Sequence, residues 1–117
     1  MSRKWPWPEA LDALTAAPRF HKLLFENDRV RVLEVRIKPG ELVPVHTHRW
    51  PGVVYVKSGS DFLRRDDEGE LLFDSRTVAP PPATPCAQWM DPLPPHSVEN
   101  VGNAEIVLIT TELKDAM

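Results

Sequence analysis

A chain of 117 residues, 42% hydrophobic and 26% charged, can fold as one packed domain and leaves no room for a second. Its net charge of −3 excludes the basic footprint of a nucleic-acid binder, since the Arg64-Arg65 pair is followed at once by Asp66-Asp67-Glu68. A single cysteine, Cys86, excludes an internal disulfide framework and fits a reducing compartment, and the longest apolar runs, Val53 to Val56 and Ile106 to Ile109, are strand-sized and far short of a membrane span. A soluble cytoplasmic protein, with neither nucleic acid nor membrane as partner, is the expectation.

In chain order, Trp5-Pro6-Trp7-Pro8 opens the chain, and residues 8–16 predict a short helix from the initial proline and the spacing of Leu11 and Leu14. Everything after Pro18 reads as short strands: 21–26, 29–37, 42–48, 53–57, 61–65, 71–74, 87–90, 97–100 and 105–113. Asn27-Asp28, Pro39-Gly40, Ser58-Gly59, Glu68-Gly69 and Gly102-Asn103 supply turns between several of them. Thirteen prolines are about twice the usual share of roughly 5%, and those of the loop 77–85 mark connections where no ladder donor is needed. Many short strands with regular turns predict an all-β sandwich or barrel.

The chemistry is concentrated in histidine. His46 and His48 lie two apart on a predicted strand and therefore share a face, and His96 from a distant strand completes a three-nitrogen face for a divalent metal. The surrounding residues resemble the cupin family. Gly40, five residues, His46-Thr47-His48, three residues, Gly52, six residues and Gly59 follow its first motif, with Gly52 standing where the motif has a glutamate. His96 and Asn100 keep the spacing of its second motif, whose proline and glycine positions are taken here by Asp91 and Leu93. The resemblance spans about residues 22 to 113. It implies a double-stranded β-helix, the jelly-roll barrel, with an arm and short helix over 1–20 and a single cupin domain over 21–117. It also implies that His46, His48 and His96 are metal ligands.

Imidazole suits transition metals and not Mg or Ca, so the expected cofactor is divalent Fe, Zn, Ni or Mn. Three neutral ligands leave the full 2+ charge on the site, which favours a small anionic substrate and acidifies a bound water. The first reading is a three-histidine, dioxygenase-like oxidoreductase. The alternatives are a non-catalytic cupin that binds or senses a small molecule and, more weakly, a metal-free sugar-nucleotide isomerase. Asp91, five residues before His96, is the best-placed substitute for the missing carboxylate, while Glu41 has the wrong parity.

Alternation from His48 points Trp50, Gly52, Val54 and Val56 inward and Tyr55 outward, and glycine at 52 is expected to open space in the pocket. Phe62 and Trp89 are candidates for its wall, and Arg49 and Arg64 for pairing a substrate carboxylate. Cys86 reads as a buried, inert thiol and His21 as a surface residue. Val43 and Val45 fall opposite the histidines, so that face is expected to be covered by the helix or by a second subunit. The resemblance implies a homodimer.

Overall fold

The computed structural model describes residues 5–78 and 82–114. They form a 3₁₀ turn (Glu9–Leu11), helix α1 (Ala13–Ala16) and the strands β1 (His21–Glu26), β2 (Val30–Ile37), β3 (Leu42–His48), β4 (Gly52–Ser58), β5 (Phe62–Asp66), β6 (Leu71–Asp74), β7 (Cys86–Met90), β8 (Leu93–Asn100) and β9 (Ile106–Leu113). Residues 79–81 of the proline-rich loop, the first four residues of the expected arm and the last three of the expected domain lie outside the described residues.

The strands make two antiparallel sheets, ordered β1-β2-β9-β4-β7 and β3-β8-β5-β6. From β2 to β5 each strand lies in the other sheet from its predecessor, and β7, β8 and β9 alternate in the same way. This is the winding of a jelly roll. Strand period places one face of each sheet inward. The facing pairs of β2 and β9 are Ile37–Ile106, Val35–Leu108, Leu33–Thr110 and Arg31–Glu112, so one row runs from hydrocarbon to a buried ion pair. Ala17, Phe20, Val35, Ile37, Val43 and Ile106 form the core, with Phe62, Val98 and Leu108 packed on it.

The structure departs from the sequence reading at three points. The predicted helix is interrupted at Asp12, whose extended backbone (ψ 143°) forms a parallel bridge to Thr47 while its carboxylate caps Leu14 N at 3.1 Å. β8 begins at Leu93, so Pro94 and Pro95 lie inside a strand and His96 sits at its middle. Val43 faces the core, not the outside, and is 1% exposed. The register of β3 against β8 shifts between Val43 and His46, and such an irregularity resets side-chain parity. The edge of β3 is continued by the Asp12–Thr47 bridge, and Thr47 is buried.

Asn100 ties the far end together. Its amide donates to the carbonyls of Ile37 and Ala104 at 2.9 and 2.8 Å, and its oxygen accepts from Gly102 N at 3.0 Å. The turn between β2 and β3, bonded to Asn100 through Gly40 N at 2.9 Å, uses Gly40 at φ +83°, a conformation that favours glycine.

Candidate metal centre

All four histidines of the chain are buried and line one cavity of about 800 Å³. His46 on β3 and His96 on β8 are directly paired across the strands, and their ring centroids lie 4.3 Å apart. His48, two residues along β3, is 5.0 Å from His46 and 5.9 Å from His96. The fourth is His21, at the start of β1, with its ring 4.8 Å from His46 and 5.4 Å from His48. One ring nitrogen each from His21, His46 and His48 lies within 4.8 Å of the others. The expectation that His21 is a surface residue is therefore corrected: it is 5% exposed, because the β1–β2 ladder pairs it with inward-facing Val35.

The hydrogen bonds set the chemistry of these rings. Nδ1 of His46 donates to the Pro44 carbonyl at 2.8 Å, Nδ1 of His96 to the Pro94 carbonyl at 2.7 Å, and Nδ1 of His21 to the Ala17 carbonyl at 3.0 Å. Nδ1 of His48 donates to Glu112 Oε2 at 2.7 Å. A carbonyl or carboxylate oxygen only accepts, so each Nδ1 carries a proton, and in the neutral form of such a ring the lone pair is on Nε2. His46 and His96 share one local device, a proline two residues earlier whose carbonyl holds the ring.

Glu112 is the carboxylate of the site and was not anticipated. It is 0% exposed and also accepts from Arg31 Nε at 2.6 Å. Arg31 in turn makes a bidentate pair with Asp12, 2.9 Å on each arm. The chain Asp12–Arg31–Glu112–His48 carries one net negative charge to the back of a histidine. Burial raises the Glu112 pKa, but the hydrogen bonds and charges of His48 and Arg31 outweigh it and hold the carboxyl below its ordinary range. The Arg31 guanidinium is held charged by the same partners against its own burial. A sequence signal for the pair existed: alternation from Ile106 places Glu112 on the inward face, and alternation back from Ile37 does the same for Arg31.

Gly52 does not open space. It is the cross-strand partner of Glu112, and a Cβ there would lie 1.9 Å from the Thr111 carbonyl oxygen. The β9 backbone occupies the place that a side chain needs, and the carboxylate comes from the neighbouring strand.

Trp50 is likewise absent from the cavity wall. It lies in the β3–β4 turn with Arg31, Arg49 and Lys114 at 5.1, 5.8 and 5.5 Å from its ring, an attraction of cations to the ring face that competes with inward packing. Arg49 also stays outside the cavity. Phe62, Arg64 and Trp89 do line it, Trp89 while 60% exposed. Val54 and Val56 line it and Tyr55 is exposed, as alternation requires. Cys86 is half-buried on the cavity wall, not sealed in the core. Asp91 also lines the cavity, exposed, with its carboxylate accepting the Trp89 indole N–H at 2.9 Å.

Burial first, then neighbouring imidazoles, lowers His21 from 6.5 to about 4 and His46 to about 2; burial lowers His96 to about 3. Below pH 6.5 the unfolded chain takes up protons that these folded rings refuse. Stability is therefore complete above about pH 6.5 and falls as the pH drops through the interval down to the folded values. The slope reaches about 1.4 kcal/mol per pH unit for each histidine. Urea midpoints of the metal-free protein are expected to be clearly lower at about pH 5 than at about pH 7.5. Equal midpoints would contradict three buried neutral rings.

A scan against protein-family models gives no match, and a search of curated proteins gives none. Solved structures do match. A cupin domain from Bordetella pertussis Tohama I is similar at 23% identity and a TM-score of 0.63, over 80% of this chain and 91% of that one. An RmlC-like cupin family protein from Methanocaldococcus jannaschii, described as a double-stranded β-helix, is similar at 9% identity and a TM-score of 0.56, over 80% and 77%. The polyketide cyclase RemF from Streptomyces resistomycificus is similar at 22% identity and a TM-score of 0.53, over 81% of this chain and 64% of that one. The two-sheet winding and these likenesses define an all-β domain with the cupin fold, and its histidine cluster could hold a metal.

Proposed function

We propose that the protein is a metal-dependent cupin enzyme, a dioxygenase-like oxidoreductase acting on a small anionic molecule. One observation carries the metal reading: His21, His46 and His48 bring one ring nitrogen each within 4.8 Å of the others, His96 packs against His46, and every Nδ1 is held by an oxygen acceptor. Imidazole lone pairs gathered on a shared space repel unless a cation lies among them. The donor set is all nitrogen and suits Fe, Zn, Ni or Mn, with His21, His46, His48 and His96 as its holders. When bound, a redox-active divalent ion would relay electrons from the organic substrate to dioxygen. The chain itself fixes the tautomers, keeps His21, His46 and His96 neutral and lines much of the cavity with hydrocarbon. Iron-loaded protein is expected to consume oxygen with at least one member of a panel of thiols, diketones and phenolic acids. Absence of uptake across the panel would count against the oxidoreductase reading.

His21 favours a second reading. A fourth imidazole fills a position that a three-histidine site leaves open, and a closed tetrahedral set is the habit of structural zinc. Such a centre would serve a binding or sensing module. Metal content with no oxygen uptake separates it from the enzyme.

We also propose a homodimer built on the outer face of the five-stranded sheet. Phe25, Val32, Thr111 and Val53 form one cross-strand row over β1, β2, β9 and β4. Phe25 and Val53 are 53% and 40% exposed. An apolar row of this kind suits a partner sheet. Val53→Arg is expected to convert a dimer to a monomer in light scattering without loss of metal, and a wild-type monomer would contradict the proposal. Among the described residues no helix is long and apolar enough to cross a membrane.

A further inference from the structure

Arg64 and Arg31 are both drawn inside the barrel, and they are treated in opposite ways. Arg31 has two carboxylates, on Asp12 and Glu112. Arg64, on the inward face of β5, has none among the described residues, and its Nε is buried without a hydrogen-bond acceptor there. The nearby acids are engaged elsewhere. Glu99 accepts from Arg65 at 2.9 Å, Asp66 accepts the backbone N–H groups of Glu68 and Glu70, Asp61 accepts the Ser75 hydroxyl, and Asp91 accepts the Trp89 indole. The guanidinium carbon lies 5.8 Å from the centroid of the Phe62 ring. A half-buried guanidinium whose Nε has no acceptor costs stability, and burial here disfavours the charged form. An arginine nevertheless stays protonated, so the site holds a standing demand for an anion.

Its position gives that demand a direction. In the β5–β8 ladder Arg64 pairs with Val98 while His96 pairs with Asp66. Arg64 is therefore one diagonal step from His96, a separation of about 7–8 Å along such a ladder, and both line the same cavity. The space beside them is walled by Val35, Ile37, Val56, Val98, Ile106 and Leu108. Among the described lining residues there is no lysine and no second arginine. One guanidinium amid aliphatic walls matches a single negative charge on an otherwise apolar body, and leaves a phosphate dianion under-compensated. Guanidinium geometry also suits the two oxygens of a carboxylate.

We infer that Arg64 is the specificity-determining residue of the cavity, binding the carboxylate of an apolar monocarboxylic acid whose hydrocarbon body lies against the aliphatic wall beside the histidines. This rests on the reading of the cavity as a small-anion site and names the anion's class and anchor.

The test is calorimetric titration of the metal-loaded protein with octanoate and with its neutral isostere octanamide, with metal content read on the same samples. Octanoate is expected to bind at least about tenfold more tightly than octanamide. Arg64→Gln is expected to erase that difference while retaining octanamide binding and metal content. Arg64→Lys is expected to keep part of the difference, as a point charge without the fork. Equal binding of acid and amide by the wild type, discrimination that survives in Arg64→Gln, or no binding of octanoate in the millimolar range would each overturn the inference. Wild-type protein that discriminates but holds no metal would support the Arg64 site and reject the metal centre, so the two readings fail separately.

Discussion

Replacing Glu112 by alanine is expected to destabilise the protein by about 3–5 kcal/mol, the range found when one partner of a buried ion pair is removed. It is also expected to weaken metal binding about 10–100-fold, as loss of a group that orients a metal-ligating histidine does. Both effects follow from one geometry. Glu112 is fully buried between Arg31 at 2.6 Å and His48 at 2.7 Å. Without it Arg31 keeps Asp12 but leaves its Nε unpartnered in the interior, and the His48 Nδ1–H loses its acceptor. His48 is then free to rotate or to change tautomer, and its Nε2 lone pair is no longer held toward the cavity. Glu112→Gln separates the two roles. The amide oxygen can still accept from one partner, but its NH₂ opposes the other, and the negative charge behind His48 is gone. Intermediate stability with metal affinity close to that of the alanine variant is expected. Urea unfolding gives the first quantity and chelator competition the second; an alanine variant unchanged in both would remove Glu112 from the account.

The second large effect is at Gly52. Restoring the glutamate of the cupin motif there, as Gly52→Glu, is expected to yield a protein that folds poorly and binds metal no better than wild type. The reason is backbone, not chemistry. A Cβ at 52 meets the Thr111 oxygen at 1.9 Å and its carbon at 2.8 Å, and neither can move without opening the β4–β9 ladder at Gly52–Glu112. Overpacking of this kind costs about 1–3 kcal/mol, and more where backbone must shift. Gly52→Ala isolates the steric part, and its melting temperature against wild type measures it. A Gly52→Glu variant that melts at the wild-type temperature and gains metal affinity would show that the sheet has room there after all.

These two residues also show what could be read in advance. The strand order along the chain was legible because alternation and turn residues are local signals: β1, β3 and β6 fall on the predicted ranges. The convergence of His46, His48 and His96 followed from strand parity and motif spacing. His21 did not, because a single histidine at the start of a strand carries no pattern; only the β1–β2 register turns it inward. Val43 was misplaced because parity arguments assume an uninterrupted ladder, and β3 shifts register beside Pro44. The missing carboxylate was sought along the sequence near His96, at Asp91. The buried carboxylate that the structure places beside the histidines is a different one, Glu112, hydrogen-bonded to the back of His48 and opposite Gly52, a relation visible only once strands β4 and β9 are paired. The histidines are not the whole charge of the site, since one net negative charge stands behind His48, through Asp12, Arg31 and Glu112.

The central claim is that four histidines, with His21 among them, hold one transition metal. The most direct measurement is elemental analysis of protein purified without chelator, made on wild type, His21→Ala and His46→Ala side by side. The account predicts close to one equivalent of a single transition metal in the wild type, raised to full occupancy on reconstitution, with a marked loss in both variants while the fold is retained by circular dichroism. Only traces of metal in the wild type with no gain on reconstitution, or full occupancy in His46→Ala, would contradict it.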